Sequence, residues 1–159
     1  FIVSLTLRSS IYHMKLFLAV FVLFCLPAVF GQSKVAWSTT YNQETKAIEI
    51  NAEISAGWHL YSQHVANDVG PVPTLFTFEE NKDLKFVGKV NEPAPIQKYD
   101  ETFEAMLDFF EEKVTFQQRV STKKKTTVNG TVTFMVCNDT MCLPPTDVKF
   151  SIEINPNND

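Results

Sequence analysis

Apolar and polar residues alternate with a period of two through most of the chain beyond residue 34. In the clearest stretch, Ile48, Ile50 and Ile54 alternate with Glu49 and Glu53. The same pattern recurs at Val35–Trp37, Leu84–Phe86, Val114–Val120, Val132–Val136 and Val148–Ile154. Because successive side chains of a strand point to opposite faces, each stretch can bury one face and expose the other. The pattern therefore predicts strands that must pair into sheets.

Turn-forming residues separate these stretches at intervals typical of an all-β domain. They lie at Asn42–Glu44, Gly70–Pro73, Glu79–Asp83, Pro93–Pro95 and Lys123–Lys125. Roughly seven to nine short strands with such spacing predict an antiparallel β-sandwich.

Two places are less regular. Phe103, Leu107 and Phe110 recur at a spacing that also fits a helix, and we interpret residues 102–112 as a loop that enters a strand. Asn129-Gly130 is a dipeptide typical of hairpin turns, yet the apolar alternation continues across it. We therefore predict a bulge within one long strand at this point.

The first 31 residues have the pattern of a leader that is removed on export. A charged start at Met14 is followed by the apolar run Leu16–Val29, and Gly31 provides a small residue before a predicted cleavage at Gln32. The run is short for a membrane span, which needs about 20 residues. We interpret residues 1–13 as an over-extended start. The chain is therefore expected to be periplasmic or secreted, with residues 32–159 as its single β-sandwich domain.

The charge balance of that domain excludes some classes of partner. The chain has 14 Lys and Arg residues against 18 Asp and Glu residues. Because Arg8 and Lys15 leave with the leader, 12 basic residues remain against the same 18 acidic ones, a net charge of −6. An acidic balance argues against nucleic acid or an anionic membrane surface as a partner. We expect a monomer, and no motif in the chain predicts a cofactor.

Cys137 and Cys142 follow the alternating stretch Val132–Val136 and are themselves followed by Pro144-Pro145. In an exported protein such a pair can form a disulfide, and the short loop can bring the Cα atoms within the required range of roughly 4.4–6.8 Å. Closing so small a loop stabilises a fold by about 2 kcal/mol, against about 4.7 kcal/mol for a 100-residue loop. Because this stabilisation is small, a reversible redox pair is favoured over a purely structural disulfide. A structural disulfide in a non-enzymatic secreted binding module remains the alternative.

Three segments resemble the N-terminal domain of the thiol:disulfide interchange protein DsbD. The most specific is Met135–Phe150, which contains both cysteines and the Pro-Pro pair. Gly57–Tyr61 is similar to the family's Gly-aromatic-aromatic-Leu-Tyr segment, and Tyr99–Phe103 is similar to its cap loop. The likeness spans most of residues 34–154. It implies an immunoglobulin-like fold in a protein-disulfide reductase component, which passes electrons from a thioredoxin-like partner to exported disulfide proteins.

The resemblance also implies roles for five residues. Cys142 would exchange with partners and Cys137 would resolve the mixed disulfide. Phe103 would be an aromatic lid, Asp100 would affect proton transfer, and Tyr61 would pack against the cysteine pair. The sequence differs from the best-known members at two points. Those members have one more residue between their cysteines, and their cap aromatic directly follows Asp-Glu, whereas Thr102 intervenes here. The loop geometry and the position of the lid residue are open for this reason.

A copper site is a third interpretation of the same region. His59, His64, Met135 and Met141, together with the cysteines, are ligand types that Cu(I) accepts. The histidines, however, lie far from the cysteines in sequence, and their spacing fits no known ligand motif. We therefore expect no metal.

Overall fold

Eleven β-strands form the regular structure of residues 33–65, 70–101 and 103–156, which are the parts of the chain that the computed structural model describes. Their bounds are β1 Val35–Asn42, β2 Ala47–Ile54, β3 His59–Tyr61, β4 Leu75–Phe78, β5 Leu84–Asn91, β6 Ile96–Asp100, β7 Ala105–Phe110, β8 Lys113–Thr122, β9 Thr126–Phe134, β10 Val136–Cys137 and β11 Thr146–Ile154. Within these ranges there is no helix, which confirms the predicted all-β class.

The strands form three antiparallel sheets. Sheet A has the order β1-β2-β8-β5, sheet B has the order β10-β3-β7-β6, and sheet C has the order β11-β9-β4. Sheets B and C follow one another along the chain, because β9 leads into β10 with one residue, Met135, between them. The predicted antiparallel pairing is confirmed.

The alternating residues of the strands meet in one large apolar cluster between the sheets. Ile48, Ile50 and Ile54 of β2 are buried, whereas Glu53 on the other face is exposed. Aromatic rings link sheet A to the other two sheets, at Trp37–Phe134, Phe76–Phe116 and Phe110–Phe116. We call this set the larger core cluster; its buried members are Val35, Ile48, Ile50, Ala52, Ile54, Leu60, Leu84, Phe110, Val114, Phe116, Val120, Val128, Val132, Phe134, Val136, Ile152 and Ile154.

The segment with helix-like spacing is a turn that enters β7, as predicted. Leu107 and Phe109 are buried on one face of β7, and Phe110 is buried on the other. Where consecutive residues are buried on opposite faces, as at the end of β7, a strand loses the alternation of apolar and polar residues. This double burial explains why the sequence pattern of the segment was ambiguous.

The predicted bulge at Asn129-Gly130 is wrong, although the single long strand is correct. Strand β9 pairs with β11 without a register shift, and Gly130 lies opposite Phe150. A Cβ atom at Gly130 would overlap the Phe150 ring and would lie 2.8 Å from the Thr77 carbonyl oxygen. The glycine therefore leaves room for an aromatic ring, and the ladder needs no extra residue.

Two sequence predictions concern residues that the structure does not describe. The leader, residues 1–31, and the cleavage before Gln32 both lie outside the described ranges. In the part of the chain that is described, no helix is long and apolar enough to cross a membrane.

Candidate functional site

Sheet B has apolar residues on both faces, and the two faces belong to different clusters. Three strands of the sheet each have one residue in the larger core cluster and its neighbour in sequence in a second cluster. The pairs are Val136 and Cys137, Leu60 and Tyr61, and Phe110 and Phe109. The second cluster has four buried members, Tyr61, Leu107, Phe109 and Cys137, and Val65, Phe103, Ala105, Met135 and Cys142 pack against them. We call it the site cluster.

Cys137 and Cys142 are joined by a disulfide whose Cα atoms are 4.0 Å apart, slightly closer than the range expected from the sequence. Hydrogen bonds within the loop hold its shape. The Asn138 side-chain oxygen accepts from the backbone N–H groups of Thr140 at 3.0 Å and Met141 at 2.8 Å, and the Asn138 N–H donates to the Met141 carbonyl at 2.9 Å. The two cysteines are therefore held near each other by the backbone as well as by the sulfur bridge.

The two cysteines differ in their exposure to solvent. Cys137 ends β10 and is only 2 % exposed, because it belongs to the buried part of the site cluster. Cys142 is partly buried, and its neighbour Met141 is 52 % exposed. Since a thiol or disulfide reacts only where a partner can reach it, Cys142 is the more accessible sulfur of the pair.

A chain of hydrogen bonds connects the site cluster to the turn between β6 and β7. The Tyr61 hydroxyl donates to Asp100 Oδ2 at 2.9 Å, and its oxygen lies 3.1 Å from His59 Nε2. The Phe103 N–H donates to Asp100 Oδ1 at 3.1 Å. Asp100 therefore links β3 to the residue that was predicted as the lid.

Burial shifts the pKa values of two of these groups. Burial raises the pKa of the Tyr61 hydroxyl, and both the hydrogen bond to Asp100 and the negative charge of Asp100 add to the effect. Burial lowers the pKa of His59, which the nearby carboxylates of Asp100, Glu111 and Asp139 oppose only in part. Both side chains are therefore neutral at pH 7, and the 3.9 Å approach of His59 Nε2 to Asp100 Oδ2 is not an ion pair.

Phe103 packs against the site cluster from the β6–β7 turn. Its ring meets the Tyr61 ring edge-on, with centroids 6.1 Å apart, and it is partly buried. Glu104, the next residue, adopts a φ of 52° in the left-handed region, which reverses the chain into β7. A short turn, rather than a sheet, thus covers this side of the cluster.

A polar cleft of about 310 Å³ opens beside the disulfide loop. It contains the carboxylates of Asp100, Glu101, Glu111 and Asp139 and one ammonium group, that of Lys98. Its remaining lining residues are His59, Tyr99, Phe109 and Asn138. The cleft beside the disulfide loop is therefore acidic.

The structure brings the five predicted site residues together, with Cys137, Cys142, Tyr61 and Phe103 in one cluster and Asp100 bonded to it. The sequence prediction missed a sixth residue at this place. His59, considered only as a metal ligand, lies opposite Cys137 in the β3–β10 ladder. Its position two residues before Tyr61 could have indicated the shared face.

Of the other copper candidates, Cys137 lies opposite His59 and Met135 packs against the site cluster, whereas two lie apart on the surface. His64 is exposed beyond the end of β3, and Met141 is exposed in the cysteine loop. The described residues contain no group of three or more His, Cys, Asp or Glu side chains that is placed to hold a metal ion.

Comparison with known proteins identifies relatives of this fold. Residues 29–154 match the family described as "Thiol:disulfide interchange protein DsbD, N-terminal". The crystal structure of the Neisseria meningitidis DsbD N-terminal domain in the reduced form is 15 % identical, with a TM-score of 0.58 over 77 % of this chain and 86 % of that one. The complex between the DsbD N-terminal and PilB N-terminal domains of the same organism is 14 % identical, with a TM-score of 0.56 over 84 % of this chain and 94 % of that one. No curated protein matches the chain.

At these identities the likeness to solved structures shows the fold, and it confirms the predicted immunoglobulin-like β-sandwich. The match to the family covers most of the chain, including both cysteines.

Proposed function

The chain belongs to the family of DsbD N-terminal domains, and from this premise we propose that it relays electrons from a thioredoxin-like partner to exported disulfide proteins. One observation carries the proposal. The Cys137–Cys142 disulfide lies outside the larger core cluster, on a face of sheet B that a turn covers. A bond in that position can open and close while the sheets stay packed.

The proposed reaction begins with attack by the Cys142 thiolate on a client disulfide. One client sulfur bonds to Cys142, and the other leaves as a thiolate. Cys137 then attacks the Cys142 sulfur, which forms the internal disulfide and releases the second client thiol. Two electrons pass from the cysteine pair to the client, and a dithiol of the thioredoxin-like partner restores the pair by the reverse steps. The greater exposure of Cys142 supports this order of attack.

Phe103 and its neighbours are proposed to limit access to the disulfide. In an oxidising compartment, an uncovered disulfide exchanges with any thiol that reaches it. The contact of Phe103 with the site cluster and its hydrogen bond to Asp100 support a lid held by a few local contacts. A partner could displace such a lid without disturbing the sheets.

The place of action and the partners follow from the same premise. The N-terminal domains of the DsbD family are periplasmic, and the predicted leader at residues 1–31 supports export of this chain. The similar Neisseria meningitidis domain has been solved in complex with the PilB N-terminal domain. That complex supports a protein partner here. We propose a monomer that needs no cofactor.

Trapping of a mixed disulfide tests the proposal. In Cys137→Ala the resolving sulfur is absent. A thioredoxin-like protein whose single active cysteine carries nitrothiobenzoate should therefore accumulate as a covalent adduct, because the Cys142 thiolate bonds to that cysteine sulfur and nitrothiobenzoate leaves as a thiolate. Non-reducing electrophoresis and mass spectrometry measure the adduct. Cys142→Ala is the matched control, and it should form little or no adduct.

A structural disulfide predicts the opposite result. The bond would then resist mild reductant until the protein unfolds, with a potential below about −300 mV. No adduct through Cys142, together with such resistance, would show that the domain is a non-enzymatic secreted module.

A further inference from the structure

His59 lies next to the buried cysteine rather than the exposed one. It is the partner of Cys137 in the antiparallel β3–β10 ladder. Residues that lie directly opposite each other in such a ladder project to the same face, with Cβ atoms about 4.5–5.5 Å apart. The side chain of His59 is 14 % exposed, and its ring packs on Phe109 with centroids 4.8 Å apart. The imidazole is thus held on the side of the sheet where the Cys137 sulfur lies.

The hydrogen bonds of Tyr61 determine which nitrogen of His59 carries the proton. A phenol has one proton to donate, and the Tyr61 hydroxyl donates it to Asp100 Oδ2. Its oxygen can therefore only accept from His59 Nε2, 3.1 Å away. In a neutral imidazole the other nitrogen, Nδ1, then has a free lone pair. Asp100 and Tyr61 together select a tautomer of His59 that can accept a proton at Nδ1.

The groups around His59 keep it neutral near pH 7. Asp100 and Lys98 face it from β6, Glu111 follows β7, and Asp139 lies in the cysteine loop. The three carboxylates raise the pKa of His59 and Lys98 lowers it, but burial has the largest effect and the pKa lies below the usual 6.5. A neutral ring at pH 7 is able to act as a base.

Cys137 needs such a base when it resolves a mixed disulfide. A free thiol has a pKa of about 8.5, so only about 3 % is thiolate at pH 7. Cys137 is also only 2 % exposed, so solvent has little access to its proton. Without a proton acceptor at hand, the attacking thiolate would form rarely.

We propose that His59 accepts the proton of the Cys137 thiol as Cys137 attacks the mixed disulfide at Cys142. The role rests on the proposed exchange function. The sulfur–sulfur bond between Cys137 and Cys142 forms, the bond between Cys142 and the client breaks, and the client sulfur leaves with the electron pair as a thiolate. The proton moves from Cys137 to His59 Nδ1. The protonated ring then loses this proton to solvent, since its pKa lies below 6.5. In the reverse direction a partner thiolate attacks the Cys142 sulfur and Cys137 leaves as a thiolate, which takes a proton from His59 after the ring has gained one from solvent.

Reaction of the reduced domain with dithiobis(nitrobenzoate) separates the two steps. Attack by Cys142 releases one coloured nitrothiobenzoate and leaves a second bound to its sulfur. Cys137 then displaces the bound group in a phase whose rate does not depend on the reagent concentration. In His59→Gln this second phase should slow roughly tenfold or more at pH 7. The first phase should be unchanged.

The pH profile of the second phase distinguishes a base from a structural residue. In the wild-type domain the phase should slow on the acid side of pH 6.5, where His59 becomes protonated. In His59→Gln its rate should instead rise about tenfold per pH unit up to the pKa of the Cys137 thiol, because hydroxide must remove the proton. His59→Phe, which keeps a ring against Phe109, should behave in the same way if His59→Gln does not fold. His64→Gln, at an exposed site, is the matched control and should retain the wild-type profile.

Three outcomes would overturn the inference. An unchanged second phase in both His59 variants would show that the ring accepts no proton, and equal slowing of both phases would show a merely structural role. If the wild-type domain released only one equivalent of nitrothiobenzoate, the exchange function itself would be rejected, and with it the role of His59. Cys137→Ala gives the reference trace for that last case.

Discussion

The two faces of sheet B differ in what covers them. On one face, Leu60, Phe110 and Val136 join the larger core cluster, whose 17 buried residues come from all three sheets. On the other face, the site cluster has four buried residues. The β6–β7 turn and the cysteine loop pack against it. A single sheet thus has one face that is buried by other sheets and one that is covered by loops.

This difference separates stability from reactivity. Removal of apolar surface from water stabilises a fold in proportion to the area buried, so the larger core cluster carries most of the stability. Local opening takes place where few buried contacts hold a segment. The site cluster meets that description, and it contains the only disulfide of the described residues. Substitutions on the two faces should therefore have effects of different kinds.

The largest effect on stability should come from Phe116→Ala in the larger core cluster. Phe116 is fully buried and contacts the rings of Trp37, Phe76 and Phe110. We expect the free energy of unfolding to fall by about 3–5 kcal/mol, as for other buried aromatic truncations. Urea titration measures this free energy of unfolding. The rate at which mild reductant opens the disulfide in the remaining folded protein should not change. A decrease in the free energy of unfolding of less than about 1 kcal/mol would contradict the conclusion that the larger core cluster carries most of the stability.

Reduction of the disulfide should have the next largest effect. Opening the Cys137–Cys142 loop should lower the free energy of unfolding by about 2 kcal/mol, since the closed loop is short. The sheets should remain folded, which near- and far-ultraviolet circular dichroism can show. The double variant Cys137→Ala/Cys142→Ala is the control that cannot be oxidised. Unfolding on reduction would mean that the site cluster also supports the scaffold.

Tyr61→Phe should have a smaller effect that depends on pH. The hydroxyl donates to a carboxylate that is partly exposed, and loss of this bond should lower stability by about 1.5 kcal/mol. Because the folded pKa of Tyr61 lies above the unfolded value of about 10, its contribution is complete below pH 10 and is lost as the pH rises above it. Urea titrations between pH 8 and 11 should show a steeper alkaline fall for the wild-type protein than for the variant.

Tyr99→Phe provides the control for that experiment, because its ring is 54 % exposed on β6. It should keep the wild-type stability at pH 7. Equal alkaline profiles for wild type and Tyr61→Phe would contradict the buried, neutral state of the Tyr61 hydroxyl.

The smallest effect on stability is expected for Phe103→Ala, at about 1 kcal/mol, because its ring is only partly buried. Its effect on reactivity should be clear. Reduction by dithiothreitol under native conditions should accelerate several-fold, because the disulfide is less shielded. Stopped-flow fluorescence or thiol trapping measures the rate.

Phe86→Ala is the matched control, since Phe86 is a partly buried ring that packs against the larger core cluster. It should lower stability by a similar amount without accelerating reduction. Equal reduction rates for Phe103→Ala and the wild type would reject the proposed lid.

Strand prediction from the sequence succeeded where one face of a strand is buried. The stretch around Ile50 is β2, and the stretch around Phe116 is β8, because burial of alternate residues leaves a period of two in the sequence. It was ambiguous at β7, where the consecutive residues Phe109 and Phe110 are buried on opposite faces. It overlooked β3, β4 and β6, which have only three to five residues, and it placed Val136 of β10 in the same strand as β9, because stretches this short do not show a period. The bulge at Gly130 was wrong because the ring that occupies its space, Phe150, comes from another strand.

The candidate site was predictable only in part. The cysteine pair and its short loop are evident from the sequence, and the resemblance to a known family indicated Tyr61, Asp100 and Phe103. No sequence pattern indicated His59 as a neighbour of Cys137. This position depends on the pairing of β3 with β10, which consecutive residues do not encode.

The sequence by itself determined the all-β class, the acidic character of the domain and the close spacing of its two cysteines. These properties depend on periodicity, composition and loop length, which residues close together in the sequence determine. Only the tertiary structure decided that the disulfide lies outside the larger core cluster, and that Tyr61 and Asp100, 39 residues apart, share a hydrogen bond beside it. The physical reason is that sheet pairing brings distant segments together, and this pairing decides which face of a strand is covered by a sheet and which by a turn.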